Sequence, residues 1–200
     1  MPTLAAKAAT ATIPIVFSVV EDPVKLGLVA SLARPGGNVT GINIQNSAVV
    51  AKRLLLLHDV LQKAVRIAAL VNPGNASVTE STTRELEKAA PTMGLQVQIL
   101  PATTIGEIDA AFATFAGERP DALFVAPDAL FISRRAQLVT LAARDRIPAI
   151  YPARDIVQAG GLMSYGVNLA EMLRLVGVYS GSILQGRQAR RPACAGIDQI

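Results

Sequence analysis

DALFVAPDALFISRRAQLVTLAARDRIPAIYPARDIVQAGGLMSYG, residues 121–166, is the stretch that decides the fold. It reads as strand Ala122–Ala126, a helix over 132–145, strand Pro148–Tyr151, a short helix over 154–159 and strand Leu162–Tyr165. ALFVA is apolar throughout rather than alternating, the pattern of a strand covered on both faces. Strands that short, separated by single helices, demand parallel pairing through crossover connections.

The same rhythm continues on both sides. Upstream, strand Arg66–Val71 runs through NPGNAS into a helix over 78–92. Strand Leu95–Leu100 follows, then a helix over 105–117 opened by a capping box of Thr104 and Glu107. Further upstream, Ile13–Val19 (IPIVFSV) is a buried strand after a Thr-rich turn. Asp22 and Pro23 are expected to open a helix reaching about Ala33, stopped by Arg34-Pro35-Gly36-Gly37. Strand Asn38–Ile44 leads to a helix over 47–63, with Ser47 near its start and Leu54, Leu57 and Leu61 on one face. Downstream, a long helix runs from Asn168 to about Leu184. The class is α/β with parallel sheets covered by right-handed βαβ units.

Composition narrows the function. The 200 residues are 51% hydrophobic and 17% charged, which excludes a disordered chain. A net charge of +4 raises the question of nucleic acid, but the basic residues are scattered. With no Trp and three Tyr there is no stacking platform, so no nucleic-acid partner is expected. The one Cys, Cys194, and the one His, His58, exclude an intramolecular disulfide and any metal site built on them. No apolar run is long enough to span a membrane. MPTLAAKAATAT lacks the regions of a signal peptide, so as written the chain is expected to stay in the cytoplasm.

Chemical motifs are few. Gly36-Gly37-Asn38-Val39-Thr40-Gly41 precedes a strand, whereas a phosphate-binding glycine loop must precede a helix, so these glycines read as a turn. His58 beside Asp59 has no elbow serine to serve. Glu80, Glu85 and Glu87 alternate with Arg84 and Lys88 as a solvated helix face. Nothing here makes a case for an enzyme, a cofactor or a metal; Asp128 and Tyr165 are the only residues an enzyme reading can use.

In open α/β sheets ligands collect at the carboxyl ends of the strands. Those ends carry Ser18 with Glu21 and Asp22, then Asn72-Pro73-Gly74-Asn75, Pro127-Asp128, Tyr151, and Ser164-Tyr165. The ligand-binding candidates are therefore Ser18, Asp22, Asn72, Asn75, Asp128, Tyr151, Ser164 and Tyr165. Hydroxyls, amides, an acid and two tyrosines suit a small zwitterionic or polyhydroxy molecule: Asp128 takes an ammonium and a Tyr ring covers an apolar body. Turn formation and capping are the ordinary roles of the same residue types.

Several segments carry a family resemblance: 4–44, with DPVKLGLVASLARPGGNVTG (22–41) the most specific, RIAALVNPGN (66–75), EIDAAFATF (107–115), 121–166 and VGVYSGSILQG (176–186). The chain resembles the substrate-binding proteins of bacterial ABC importers, of the type I periplasmic-binding-protein fold. The resemblance implies two Rossmann-like lobes: 1–44 an incomplete first lobe, 45–165 the second, and 166–186 a helix returning to the first. It implies capture of a small solute, in some members an amino acid, without catalysis, delivery to an ABC permease, and a periplasmic or membrane-anchored location. The alternatives are an intracellular ligand-sensing module of the same fold, or a truncated fragment without function. An incomplete first lobe also predicts self-association.

The tail 187–200 departs from the family pattern, which implies a segment such as ADLPVQASTKF after Gly186. One permitted coding of RPACAGIDQI (191–200), shifted by a base, reads DLPVQASTK, so a frameshift is expected near 187–190. Arg187, Arg190 and Arg191 against Asp198 supply +2 of the chain's +4.

Overall fold

The computed structural model describes residues 2–19, 22–43, 46–166, 168–186 and 195–196. The chain forms two compact units, 47–166 and the pair of segments 1–46 and 167–200.

In the larger unit, five parallel strands lie in the order β4-β3-β5-β6-β7: β3 (Arg66–Val71), β4 (Gln96–Pro101), β5 (Ala122–Val125), β6 (Ala149–Tyr151) and β7 (Met163–Ser164). Each sits within two residues of its expected position. The intervening helices are α2 (Asn46–Val60), α3 (Ala76–Ala89), α4 (Ile105–Ala113), α5 (Ala129–Ser133), α6 (Arg135–Arg144) and α7 (Arg154–Gln158). Strand alternation sorts the side chains into two cores. Ala68, Leu70, Leu123, Val125, Ala149 and Tyr151 face Ile108, Phe112, Phe131, Leu138 and Ile156 of α4 to α7. Ile67, Ala69, Ala122, Phe124 and Ile150 face Val50, Leu54 and Leu57 of α2 and Leu86 of α3. Phe112 and Phe115 meet edge to face at 5.1 Å, a geometry aromatic pairs favour.

The capping box forms with its roles divided. Thr104 Oγ1 accepts the Glu107 N–H at 3.3 Å, while Glu107 Oε2 accepts from the N–H and hydroxyl of Thr103. These bonds hold the Glu107 carboxyl below its ordinary range. The helix expected over 132–145 is divided at Arg134, whose backbone (φ −101°, ψ 22°) leaves the helical region between α5 and α6.

In the smaller unit, β1 (Ile15–Val19) pairs in parallel with β2 (Val39–Asn43), and β2 with the two-residue β8 (Ala195–Gly196). Phe17, Val19 and Val39 pack with Leu28 and Val29. Ile42 packs with Met172 and Tyr179 of α8 (Leu169–Leu184).

Two expectations change here. Pro2–Ala9 forms helix α1, in a stretch where the sequence reading placed no element; its alanines supply the propensity, and no residue of it is buried. The helix expected from Asp22 to Ala33 does not form. Asp22 starts it, its carboxylate accepting the N–H groups of Val24 and Lys25 at 2.9 and 3.3 Å. Gly27 then turns left-handed at φ 68° and sends Leu28 and Val29 into the core. Packing overrides propensity there. Gly36 and Gly37 are left-handed as well, as their turn reading requires. Glu21, Ile44 and the tail residues 187–194 and 197–200 lie outside the described residues.

Candidate functional site

The carboxyl ends of β3, β5, β6 and β7 lie along one edge of the five-stranded sheet, and the polar residues there form two groups. The first is built around Asp128. As β3 ends, Asn72 Oδ1 accepts the Gly74 N–H at 2.9 Å, which closes an Asx turn. Thr79 donates its hydroxyl to the Asn72 carbonyl at 2.6 Å. Fixed in this way, Asn72 donates from Nδ2 to Asp128 Oδ1 at 2.8 Å, and Asn75 Nδ2 donates to Asp128 Oδ2 at 3.3 Å. Asp128 also caps α5, its Oδ1 accepting the Leu130 N–H at 2.9 Å. Residues 53 to 56 apart in sequence thus converge on one half-buried carboxylate. Oδ2 carries the longer bond and keeps the greater capacity for a further donor.

The second group is Tyr151, Ser164 and Tyr165. Tyr151 and Ser164 are register partners in β6 and β7, and the Tyr165 N–H donates to the Tyr151 carbonyl at 3.1 Å. The Tyr151 ring was expected to cover a ligand. It instead belongs to the core beneath α4 to α7 at 1% exposure, because alternation sends it to the same face as Ala149. Burial pushes its phenol up to about 12. Tyr165 is half-buried against the α2–α3 side, and Ser164 is half-buried.

Ser18 and Asp22 belong to the smaller unit. The Ser18 hydroxyl donates to the Met172 thioether at 3.1 Å, and Asp22 caps its turn.

Sequence reasoning missed Arg53. Its side chain is 1% exposed, within the apolar face that α2 turns to the sheet. Nε donates to the Tyr165 carbonyl at 2.8 Å and Nη1 to the Val125 carbonyl at 3.0 Å. Its guanidinium lies 5.0 Å from the centre of the Phe124 ring. Burial lowers its pKa to about 9, which still leaves a cation at neutral pH. A signal was present: position 53 falls three after Val50 and four before Leu57, on the helical face that must be buried.

At the opposite, amino-terminal edge of the sheet is an open groove of about 590 Å³, lined in part by Lys63, Arg66, Arg119, Asp121 and Arg146. No group of His, Cys, Asp and Glu suited to a metal ion occurs among the described residues. No helix among them is long and apolar enough to cross a membrane.

Comparison with known proteins agrees with this architecture. The chain is 30% identical over 183 residues to a tyrosine-binding protein of Clostridioides difficile (strain R20291), covering 92% of the chain and 52% of the relative. It therefore spans about half the length of that relative. A conserved domain protein from Vibrio cholerae superposes with a TM-score of 0.77 at 27% identity, covering 99% of this chain and 67% of that one. An ABC domain in complex with L-Trp from Streptococcus pneumonia gives a TM-score of 0.76 at 22% identity, with 98% and 67% covered, a likeness of fold. These neighbours carry the type I periplasmic-binding-protein-like architecture, and so does this chain. Residues 2–193 match the ABC transporter substrate binding protein family, and to that family the chain belongs.

Proposed function

We propose that this chain binds an amino acid, most readily an aromatic one, and contributes to its delivery to an ABC permease outside the cytoplasm without chemical change. The observation that carries the reading is the Asp128 carboxylate gripped by Asn72 and Asn75 at the carboxyl edge of the sheet. Two neutral amides orient the carboxylate and leave its charge in place, and a ligand ammonium meeting Oδ2 completes a charge-assisted hydrogen bond. The half-buried Tyr165 stands on the same edge as a surface for an apolar side chain. The tyrosine-binding relative supports the class of ligand, and family membership supports the role in transport.

Calorimetric titration of the chain with L-tyrosine, L-tryptophan and L-leucine tests the proposal. Saturable binding of an aromatic amino acid is expected, with a thermal shift. At a hundred times the dissociation constant, ligand adds about 2.7 kcal/mol to stability. No heat and no shift with any of the three refutes the amino-acid reading.

A further inference from the structure

Arg53 is the most unusual group in the larger unit: a long cation buried at 1% exposure in the face of α2 that also carries Val50, Leu54 and Leu57. A buried charge is ordinarily neutralised by an opposite one. The ion pairs among the described residues are Arg144–Asp145 and Arg174–Glu171, and neither involves Arg53. What compensates Arg53 is two backbone carbonyls and the face of Phe124.

The choice of carbonyls is informative. Val125 is the last residue of β5, and its carbonyl stands three residues ahead of Asp128. Tyr165 directly follows Ser164 at the end of β7. Strand β6 lies between β5 and β7 in the sheet. One guanidinium thus reaches across a strand and ties together the two segments whose polar residues define the candidate site. Guanidinium is a rigid plane with donors at fixed angles, so it sets the separation of two acceptors as a flexible ammonium stem does not.

We propose that Arg53 is a positioning residue of the ligand site: from within the sheet's α2 face it spaces the 126–128 loop from the 164–166 segment, and so presents Asp128 to the ligand. This rests on the amino-acid reading of the site. The burial cost of the cation is sustained because the bridge to Val125 and Tyr165 fixes the loops on which recognition depends.

The test compares R53K and R53M in the full chain. R53K keeps the charge and loses the planar fork; R53M keeps bulk and loses both. With L-tyrosine as the probe, both folded variants are expected to bind at least tenfold more weakly. In a D128N background the same substitutions are expected to cost less than threefold, because Arg53 acts through the loop that carries Asp128. Affinity within twofold of the parent for both variants, or an equal loss in both backgrounds, overturns the proposal.

A ligand-free readout separates this idea from the site reading. The Leu130 amide, bonded to Asp128 Oδ1, is expected to exchange with solvent at least tenfold faster in R53K than in the parent, and unchanged exchange overturns the positioning role. If the parent chain does not bind L-tyrosine, the amino-acid reading falls, while Leu130 exchange still decides whether Arg53 positions the loop. If R53M does not fold, R53K carries both measurements.

Discussion

The two edges of the five-stranded sheet each hold an aspartate that gathers N–H donors, two at Asp121 and three at Asp128, and the donors differ. At the amino edge, Asp121 Oδ2 accepts the backbone N–H groups of Val65 and Arg66 at 2.9 and 2.8 Å. At the carboxyl edge, Asp128 accepts from the side-chain amides of Asn72 and Asn75 as well as from the Leu130 backbone. Backbone donors belong to the sheet and cannot leave without unravelling it, so Asp121 is a stitch. Asn72 is held by its own turn, but the Asn75 amide, at 3.3 Å, can yield when a new donor arrives, so Asp128 Oδ2 can exchange partners. On the proposed reading, the same residue type serves structure at one end and recognition at the other.

The largest effect that separates the edges concerns Gly166. A Cβ at this position would run into the Pro152 carbonyl oxygen, a clash with backbone that no rotamer relieves. Gly166→Ala is expected to destabilise the chain by about 3 kcal/mol, read from urea unfolding. A loss under 1 kcal/mol means that the carboxyl edge is looser than this geometry requires.

Next in size is Asp128→Asn. It preserves the cap on α5, removes the charge and sets an NH2 where Oδ2 accepts from the exposed Asn75 amide, so stability falls by about 1 kcal/mol at most. Affinity for L-tyrosine is expected to fall roughly 10- to 100-fold, the range of a charge-assisted hydrogen bond. Unchanged affinity in calorimetry removes Asp128 from the ligand site and makes the two aspartates equivalent.

Asp121→Ala gives the opposite pairing: a loss of about 1 kcal/mol for an exposed residue with two backbone bonds, and unchanged ligand affinity. Its pH dependence has a definite sign. The hydrogen bonds from Arg66 and Val65 hold the Asp121 carboxyl below its ordinary value of 3.8. Its stabilisation is therefore present above 3.8 and fades as pH falls through the lower folded value. The stability gap between parent and variant is expected to narrow below pH 3.8. A gap that widens there shows that the stitch is made some other way.

Much of the fold was legible in the sequence, while the role of Asp121 was not, and the unread part has physical causes. Apolar runs such as ALFV place a strand to within a residue, because burial on both faces permits little else. Asn72, Asn75 and Asp128 were singled out because each follows a strand and belongs to a residue class that shapes turns. Their meeting at one carboxylate depends on β3 and β5 being neighbours, which local pattern does not reveal. Tyr151 was misjudged because a strand's last residue is polar at one end only, and its ring follows the pleat into the core. Arg53 escaped because its acceptors are 72 and 112 residues away. The helix expected after Asp22 failed because Leu28 and Val29 gain more from the core than from another helical turn.

The smallest effect lies at the amino edge, in the turn that ends α6. The Ile147 N–H bonds the Ala142 carbonyl and the Arg146 N–H the Ala143 carbonyl, the two bonds of a Schellman cap. Arg146 occupies the position where glycine is preferred, with φ at 52°. Its own carbonyl accepts from Arg119 Nη2 at 3.0 Å, a bond that any residue at 146 retains. Glycine there relieves left-handed strain of about 1 kcal/mol, partly offset by a more flexible unfolded chain. Arg146→Gly is therefore expected to stabilise the chain by about 0.5 kcal/mol and to leave L-tyrosine affinity unchanged. That pairing, stability gained at one edge with recognition untouched at the other, is what a division of labour between the edges requires. A drop in affinity on this substitution shows instead that the two ends of the sheet are coupled.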